Sequence, residues 1–530
     1  MQPSPAMQPS SPQVKISSNM SLPKRISNAV VLMACLLSLG AASAYAESPN
    51  IILILTDDQG WSQLSEPIDP TVPNAASDYL ETPNMNRLAN GGIRFTSGYS
   101  PAAICTPTRR GILFGTTSVR SGCEFRSRWE PKKHISLPQA LKRANPDYQC
   151  AHFGKWGELM GAEPEAVGYD ASHGETGNGT GGMPNTLGFK RDAPDAPTYV
   201  IDNVDPKRTP TITDDAVEFM KSTLKEDKPF YVQLSYYAVH LSSVLRETTL
   251  KKYQQKGEPD RGYSQGWAGM LDDLDHDVGR LLDAVDELGI ADNTYVFYLS
   301  DNGGRGSVPG GNKKSKATNF PLAGSKHTLY EGGIRVPFLV RGPGVPAGEY
   351  CHVPVAGYDL LPTFFDLAGG KELISEEKDG VSIKPLLVNP AGGKLCRPDD
   401  ALYFNFILSK GGMSSIRSGD YKLMLFWDKN DQQKGRALYN LSVDPLEQTD
   451  LSGKEPKRAD ALQKQLIEYI ERVGGEMPTT ALPRGPKEYQ RYLKSQKRWL
   501  KLSSYTGSLL RISAIPIRSR NFSRFHRAGS

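Results

Sequence analysis

A chain of 530 residues, 38% hydrophobic and 23% charged, has the composition of a globular protein with one large core and a smaller packed unit, which excludes wholesale disorder. The formal net charge is +5, but residues 484–530 hold twelve Lys or Arg against one acid, a net +11, so the remainder carries −6. That mildly acidic body excludes nucleic-acid binding as the main function, and the basic end reads as a solvated tail able to touch polyanions.

In chain order, Lys24 and Arg25 precede an apolar run over residues 29–39, and Ala44-Tyr45-Ala46 offers a cleavage site before Glu47. This is the layout of an export signal, with the residues before Met20 as an extension. The run is too short for a stable membrane span. Leu32-Met33-Ala34-Cys35 has the outline of a lipoprotein signal, but the apolar run continues past Cys35. Export places the protein in the periplasm or medium, an oxidising compartment. Cys105, Cys123, Cys150, Cys351 and Cys396 remain after cleavage, without zinc-site spacing. With Cys105 set apart, the other four allow up to two disulfides or stand as buried thiols.

Residues 50–55, Asn-Ile-Ile-Leu-Ile-Leu, form a continuous apolar run, which reads as a strand buried on both faces of a parallel sheet and ends at Thr56-Asp57-Asp58-Gln59-Gly60. A helix is predicted over 213–224 with Thr213 as N-cap, and strands over 230–235 and 336–340. Apolar residues at helical spacing predict a helix over 271–288, ended by Gly289. The next buried strand, 294–299, stops at Ser300-Asp301-Asn302-Gly303-Gly304. Strands alternating with helices predict an α/β fold with a mostly parallel sheet flanked by helices. Beyond residue 400, short strands at 402–406, 414–417, 421–426 and 437–441 and a helix near 458–472 predict a small α+β subdomain with an antiparallel sheet. The expected division is 1–46 extension and signal, 47–400 main domain, 401–483 subdomain and 484–530 basic tail. The Gly-rich stretch 174–182 reads as a loop at the site.

Two acidic clusters follow two buried strands. In open α/β sheets ligands bind beyond the carboxyl ends of the strands, so Asp57, Asp58, Asp301 and Asn302 are expected to share one crevice. Either pair alone reads as turn residues. Together they form an all-oxygen set suited to Ca²⁺ or Mg²⁺ rather than Zn²⁺. Cys105 lies in Cys-Thr-Pro-Thr-Arg, where Pro107 suits the first turn of a helix, so Cys105 is expected at a helix N-terminus with Arg109 on the same face. Spacing alone leaves a structural and a reactive cysteine equally open. A cysteine-phosphatase loop would need Arg at position 111, which is Gly.

Cys105-Thr106-Pro107-Thr108-Arg109 resembles the sulfatase signature Cys-x-Pro-x-Arg. Four more segments resemble that family in the same order: Leu55 through Trp61, Phe153-Gly154-Lys155-Trp156, Ser300-Asp301-Asn302-Gly303, and Lys326 through Pro337 with its Glu-Gly-Gly-Ile-Arg. The resemblance runs from about residue 50 to about residue 475. It implies an alkaline-phosphatase-like fold, with the main domain as the catalytic one, and hydrolysis of aryl or carbohydrate sulfates. It implies a formylglycine made from Cys105 by a maturation enzyme, and Ca²⁺ bound by Asp57, Asp58, Cys105, Asp301 and Asn302. Arg109 would stabilise the formylglycine hydrate, Lys155 and Lys326 would hold sulfate oxygens, and His240 would help the departing alcohol. Two hydroxyls on the hydrate let one attack sulfur and the other drive sulfate release. The expected partners are a sulfated small molecule or glycan and the maturation enzyme.

One departure stands out. The family often reads Gly-Lys-Trp-His, whereas this chain has Gly157 after Trp156, which leaves the adjacent Glu158 as a candidate base. Phe114, where a small or polar residue is usual, is a lesser departure. Two other functions compete: a phosphodiesterase or phosphonate monoester hydrolase of the same superfamily, and a non-catalytic, calcium-dependent binder of sulfated glycans.

Overall fold

The computed structural model describes residues 48–190, 193–371 and 377–494. The expected export signal, Cys35 and the basic tail past residue 494 lie outside the described residues. Strands β1 (Asn50–Thr56), β2 (Ile93–Phe95), β3 (Gln149–Gly154), β4 (Ala171–Ser172), β5 (Phe230–Ser235), β6 (Thr294–Ser300), β7 (Phe338–Arg341) and β8 (Glu349–Cys351) form one sheet in the order β8-β2-β7-β6-β1-β5-β3-β4. β1 pairs in parallel with β5 and β6, β3 in parallel with β5 and β4, and β7 runs antiparallel between β6 and β2.

The unbroken apolar run of β1 follows from this central position. Ile52 and Ile54 enter the core on one face, and Ile51, Leu53 and Leu55 enter the core on the other. Helices α1 (Pro83–Asn90), α2 (Cys105–Phe114), α3 (Leu137–Ala144), α4 (Thr209–Leu224), α5 (Gln265–Glu287) and α6 (Leu360–Leu367) cover the sheet. α1, α4 and α5 contribute Leu88, Ile212 and Leu274 to the first core, while α2, α3 and α6 contribute Ile112, Leu141 and Phe364 to the second. Because β1, β3, β5 and β6 run the same way, Asp57, Lys155, Tyr236 and Asp301 all leave the sheet at one edge.

Two helix starts differ from the expectation. Thr213 is not the N-cap of α4. The helix begins at Thr209, with a proline in its first turn. The Thr213 hydroxyl, one turn in, donates to the Thr209 carbonyl and meets the Tyr236 hydroxyl. α5 begins at Gln265 rather than near Leu271, with the Ser264 hydroxyl accepting from the Trp267 N–H at 3.2 Å. Its first turns bury Trp267, Ala268 and Met270 on several sides, which blurs the one-faced spacing that sequence periodicity detects.

The C-terminal strands β9 (Ala401–Leu408), β10 (Gly411–Ser418), β11 (Tyr421–Asp428) and β12 (Gln433–Asn440) form an antiparallel meander in chain order. Helix α7 (Pro456–Val473) packs Leu462, Leu466 and Ile470 against Ile416, Leu423 and Leu425. The other face lays Leu402, Phe404 and Met424 against Tyr99, Ile104 and Ile334 of the larger unit. Lys422 pins the two parts together. Its buried ammonium lies 2.8 Å from Glu331 and 2.9 Å from Glu447. Glu331 also accepts from the Tyr99 hydroxyl at 2.8 Å. Among the described residues the five cysteines form no disulfide, four being buried and Cys396 exposed, so the disulfide alternative is not realised.

Burial would push up both carboxyls, yet Lys422 holds Glu331 below the usual range, whereas Glu447 is pushed up to about 7. Removing Lys422 leaves two buried carboxyls with no shared cation. Lys422→Met should therefore cost about 3–5 kcal/mol of stability. Both carboxyls would then titrate higher in the fold than in the unfolded chain, so the folded state binds extra protons as pH falls. The deficit in a denaturant titration should be larger at about pH 8 than at about pH 5.5.

Candidate active site

α2 starts at Cys105, after Ile104 in extended conformation, and all ten of its residues are buried. Cys105 is 1% exposed at the helix N-terminus, and Pro107 completes the first turn. One turn on, Arg109 donates from Nε and Nη2 to Asp301 Oδ2 at 3.1 and 2.8 Å, and from Nη1 to the Lys155 carbonyl at 2.5 Å. The helix is thereby tied to the ends of β6 and β3.

Each strand end adds a charged residue. Lys155 Nζ lies 2.5 Å from Asp57 Oδ2. Lys326 Nζ donates to Asp58 Oδ1, which also accepts from Asn302 Nδ2 at 2.8 Å. The Asp58 N–H donates to Asp301 Oδ1 at 3.2 Å. Asp58 takes a left-handed backbone (φ 65°), which Asp tolerates better than most residues. The turn after β5 is bonded to Asp57 on both sides, through Asp57 N–H to the Ala238 carbonyl and Val239 N–H to the Asp57 carbonyl. His240 Nε2 then lies 3.8 Å from Asp58 Oδ2. The structure thus brings Asp57, Asp58, Lys155, His240, Asp301, Asn302 and Lys326 together with Arg109 at the start of the Cys105 helix.

These groups set one another's charge. Burial raises the Asp57 and Asp58 carboxyls, but the neighbouring cationic groups together, led by Lys155 and Lys326 respectively, hold both below the ordinary range. Burial and then Asp57 push Asp301 up to about 6, against Arg109. Burial opposes the charge on Lys155 and Lys326, yet the acidic groups around each, led by Asp57 and Asp58 respectively, together more than compensate, so both ammoniums titrate above their usual value. Burial outweighs the two aspartates at His240 and lowers it to about 3, which leaves the imidazole neutral.

Three oxygens in this cluster have no hydrogen-bond partner although buried: Asp57 Oδ1, Asp58 Oδ2 and Asn302 Oδ1. Buried acceptors are nearly always satisfied, so three orphans in one cluster call for a donor or a cation. Carboxylate and amide oxygens suit a hard divalent cation. Ligand atoms of Asp57, Asp58 and His240 also lie within 4.8 Å of one another. His240 is therefore close enough to be a ligand itself, a position the sequence did not suggest. Asp301, by contrast, has both oxygens engaged, by Asp58 N–H and by Arg109.

Gly157 has φ 137°, and a Cβ there would lie 3.1 Å from Met160 Cγ and 3.4 Å from Thr106 Oγ1. The turn is thus built around glycine, and a histidine would be strained in it. The Glu158 carboxylate accepts from the Asn178 N–H at 2.7 Å and abuts Gly177, so it caps the Gly-rich loop. That loop does lie at the site, since the Thr176 carbonyl accepts from Trp156 and Gly157 N–H. Sequence reasoning missed Arg305, whose Nη1 is 3.9 Å from Asp58 Oδ2. Its place just after Asp301-Asn302-Gly303-Gly304 was the available signal.

Residues 49–370 match the sulfatase family. The chain belongs to that family. Residues 324–475 of this sulfatase also match the C-terminal region of N-sulphoglucosamine sulphohydrolase. A sulfatase of Formosa agariphila is 28% identical over 494 residues, covering 78% of this chain and 86% of the relative. Human arylsulfatase A is 29% identical over 476 residues, covering 83% and 86%. The crystal structure of Ps i-CgsB superposes with a TM-score of 0.66 at 25% identity, covering 86% of this chain and 99% of that one. The mixed sheet with its C-terminal four-stranded meander is thus the alkaline-phosphatase-like fold of sulfatases.

If the orphan oxygens bind calcium, chelator-stripped protein should gain about 2.7 kcal/mol of stability with free Ca²⁺ at about a hundred times its Kd. Asn302→Leu, which removes one orphan oxygen, should lose most of that gain. An undiminished calcium-induced rise in Tm would take Asn302 out of the ligand set.

Proposed function

We propose that this sulfatase hydrolyses aryl or carbohydrate sulfate esters outside the cytoplasm, using a formylglycine derived from Cys105. The three orphan oxygens within a ring of buried cations carry the reading. Asp57, Asp58 and Asn302 would hold Ca²⁺ through their unpartnered oxygens, residue 105 would complete the set, and Asp301 would add a ligand through an oxygen that also accepts from Asp58 N–H or Arg109. The ion would polarise a sulfate oxygen and, together with the formylglycine, supply a nucleophile at neutral pH. Cys105 is 1% exposed, so a maturation enzyme would have to reach it before the chain closes around it.

The chain's own residues have separate tasks. A sulfate ester is anionic and must be drawn into a site that already holds three carboxylates. Lys155 and Lys326 are paired with Asp57 and Asp58 in the structure. A cation on those carboxylates would release both ammoniums toward sulfate oxygens, where charge develops as the ester bond breaks. Arg109, fixed by Asp301 and the Lys155 carbonyl, keeps positive charge beside residue 105. Neutral His240 would hold a proton on one ring nitrogen for the departing alkoxide. The tight placement of these groups, rather than flexible recruitment, suits attack at a crowded tetrahedral sulfur.

A phosphate or phosphonate ester has the same tetrahedral outline but carries more charge. The two site lysines and a ligand set for a single metal favour the single negative charge of a sulfate ester. The binder reading draws on Gly157, which leaves no histidine two residues after Lys155 in the chain.

Peptide mass spectrometry on protein made with a maturation enzyme should show formylglycine at position 105. That protein should cleave 4-nitrophenyl sulfate at least about a hundredfold faster than 4-nitrophenyl phosphate. His240→Ala should lower kcat by about 10²-fold or more on esters with poor leaving groups while leaving calcium affinity intact. Loss of calcium binding in that variant would make His240 a ligand instead. Matured protein that binds sulfated glycan with calcium but releases no sulfate would establish the binder.

A further inference from the structure

The chain enters α4 through Pro206-Lys207-Arg208, and Lys207 (φ 58°) and Arg208 (φ 57°) both have left-handed backbone. Two successive residues with side chains in that region are a costly conformation. Lys207 is 4% exposed. Its ammonium donates to the Gly181 carbonyl at 2.8 Å and the Gly182 carbonyl at 3.3 Å, and to no carboxylate among the described residues. Burial lowers its pKa to about 7, and Asp57, the largest opposing influence, offsets this only in part. Burying an ammonium against neutral carbonyls alone is expensive, so the arrangement calls for a reason beyond holding a loop.

Gly181 and Gly182 supply one, because the His240 turn rests on both. The Gly182 carbonyl also accepts from the Ser242 N–H at 3.0 Å. Gly181 lies flat against Tyr237, where a Cβ would come within 2.2 Å of the ring, so only glycine fits. The Tyr237 carbonyl accepts from the His240 N–H at 2.9 Å. Tyr237 and Ser242 thus bracket His240, one on each side, and both are supported by the dipeptide that Lys207 grips.

We propose that Lys207 is a positioning residue for His240: its buried ammonium fixes Gly181 and Gly182, and through them the turn that aims the imidazole at the departing alcohol. This rests on the sulfate-ester reading above. In that role Lys207 touches neither substrate nor metal. Its removal should therefore act on the reaction through His240 and depend on how much help the leaving group needs.

The test uses matured, calcium-loaded, full-length protein. It compares kcat/KM for 4-nitrophenyl sulfate, which needs little help, with that for an alkyl or sugar sulfate, which needs much. Lys207→Met should cost about tenfold on the first and about a hundredfold on the second, the pattern of a displaced acid rather than a loosened fold. In a His240→Ala background the same change should cost less than about threefold on either ester, because the two residues act as one. Lys207→Arg should restore most of the discrimination. If Lys207→Met does not fold, Lys207→Gln, which keeps donors without the charge, is held to the same criteria. Equal losses on both esters, or full additivity with His240→Ala, would overturn the proposal alone. A wild type that releases sulfate from neither ester would overturn the sulfate-ester reading and this proposal with it.

Discussion

Three buried ion pairs at one edge of the sheet set the terms for the rest of the molecule: Lys155 with Asp57, Lys326 with Asp58, and Arg109 with Asp301. Charges this deep are tolerated only when each has a close partner, because burial strips away hydration worth several kcal/mol per ion. Each pair joins segments far apart in the chain, so pairing closes the site and joins strand ends, the Cys105 helix and the Lys326 loop in one step. The same pairs hold the cations ready. On the proposed reading, a divalent ion on the aspartates would compete for those carboxylates and free the ammoniums for an anionic ester, so the same groups would supply stability before binding and attraction during it.

The C-terminal meander belongs to this arrangement. Lys422 bonds Glu331, which begins the Glu-Gly-Gly-Ile-Arg segment five residues after Lys326. Arg417 reaches the Tyr99 hydroxyl, and Tyr99 in turn donates to Glu331. The small sheet thus fixes the backbone behind one of the two site lysines. Its two buried faces explain why its strands lack a clean alternation of apolar and polar residues.

On the opposite side of the site the backbone has little freedom. Gly157, at φ 137°, would strain the histidine common at that position in the family, and Met160 and Thr106 pack closely around it. Glu158, the neighbour that sequence proximity offered instead, is occupied with the Gly-rich loop. That leaves His240 as the histidine beside Asp58 in the cluster. The position of its turn therefore matters to the site, which is why the supports under Tyr237 and Ser242 carry weight.

Much of this was legible in the sequence. Continuous apolar runs ending in Asp57-Asp58 and Asp301-Asn302 determined buried parallel strands with an acidic crevice at their ends, because strands buried on both faces leave no other periodicity. The Cys-Thr-Pro-Thr-Arg segment determined a helix start with an arginine one turn on. Local composition could not show that both Asp301 oxygens are spent while one oxygen each of Asp57, Asp58 and Asn302 is not. Nor could it show Arg305 within reach of Asp58, Glu158 turned to Asn178, or Lys207 buried under Gly181 and Gly182. Those facts depend on contacts between segments tens to hundreds of residues apart. A sequence fixes the donors and charges each segment carries, but only the packed chain decides which of them find one another and which oxygens are left over.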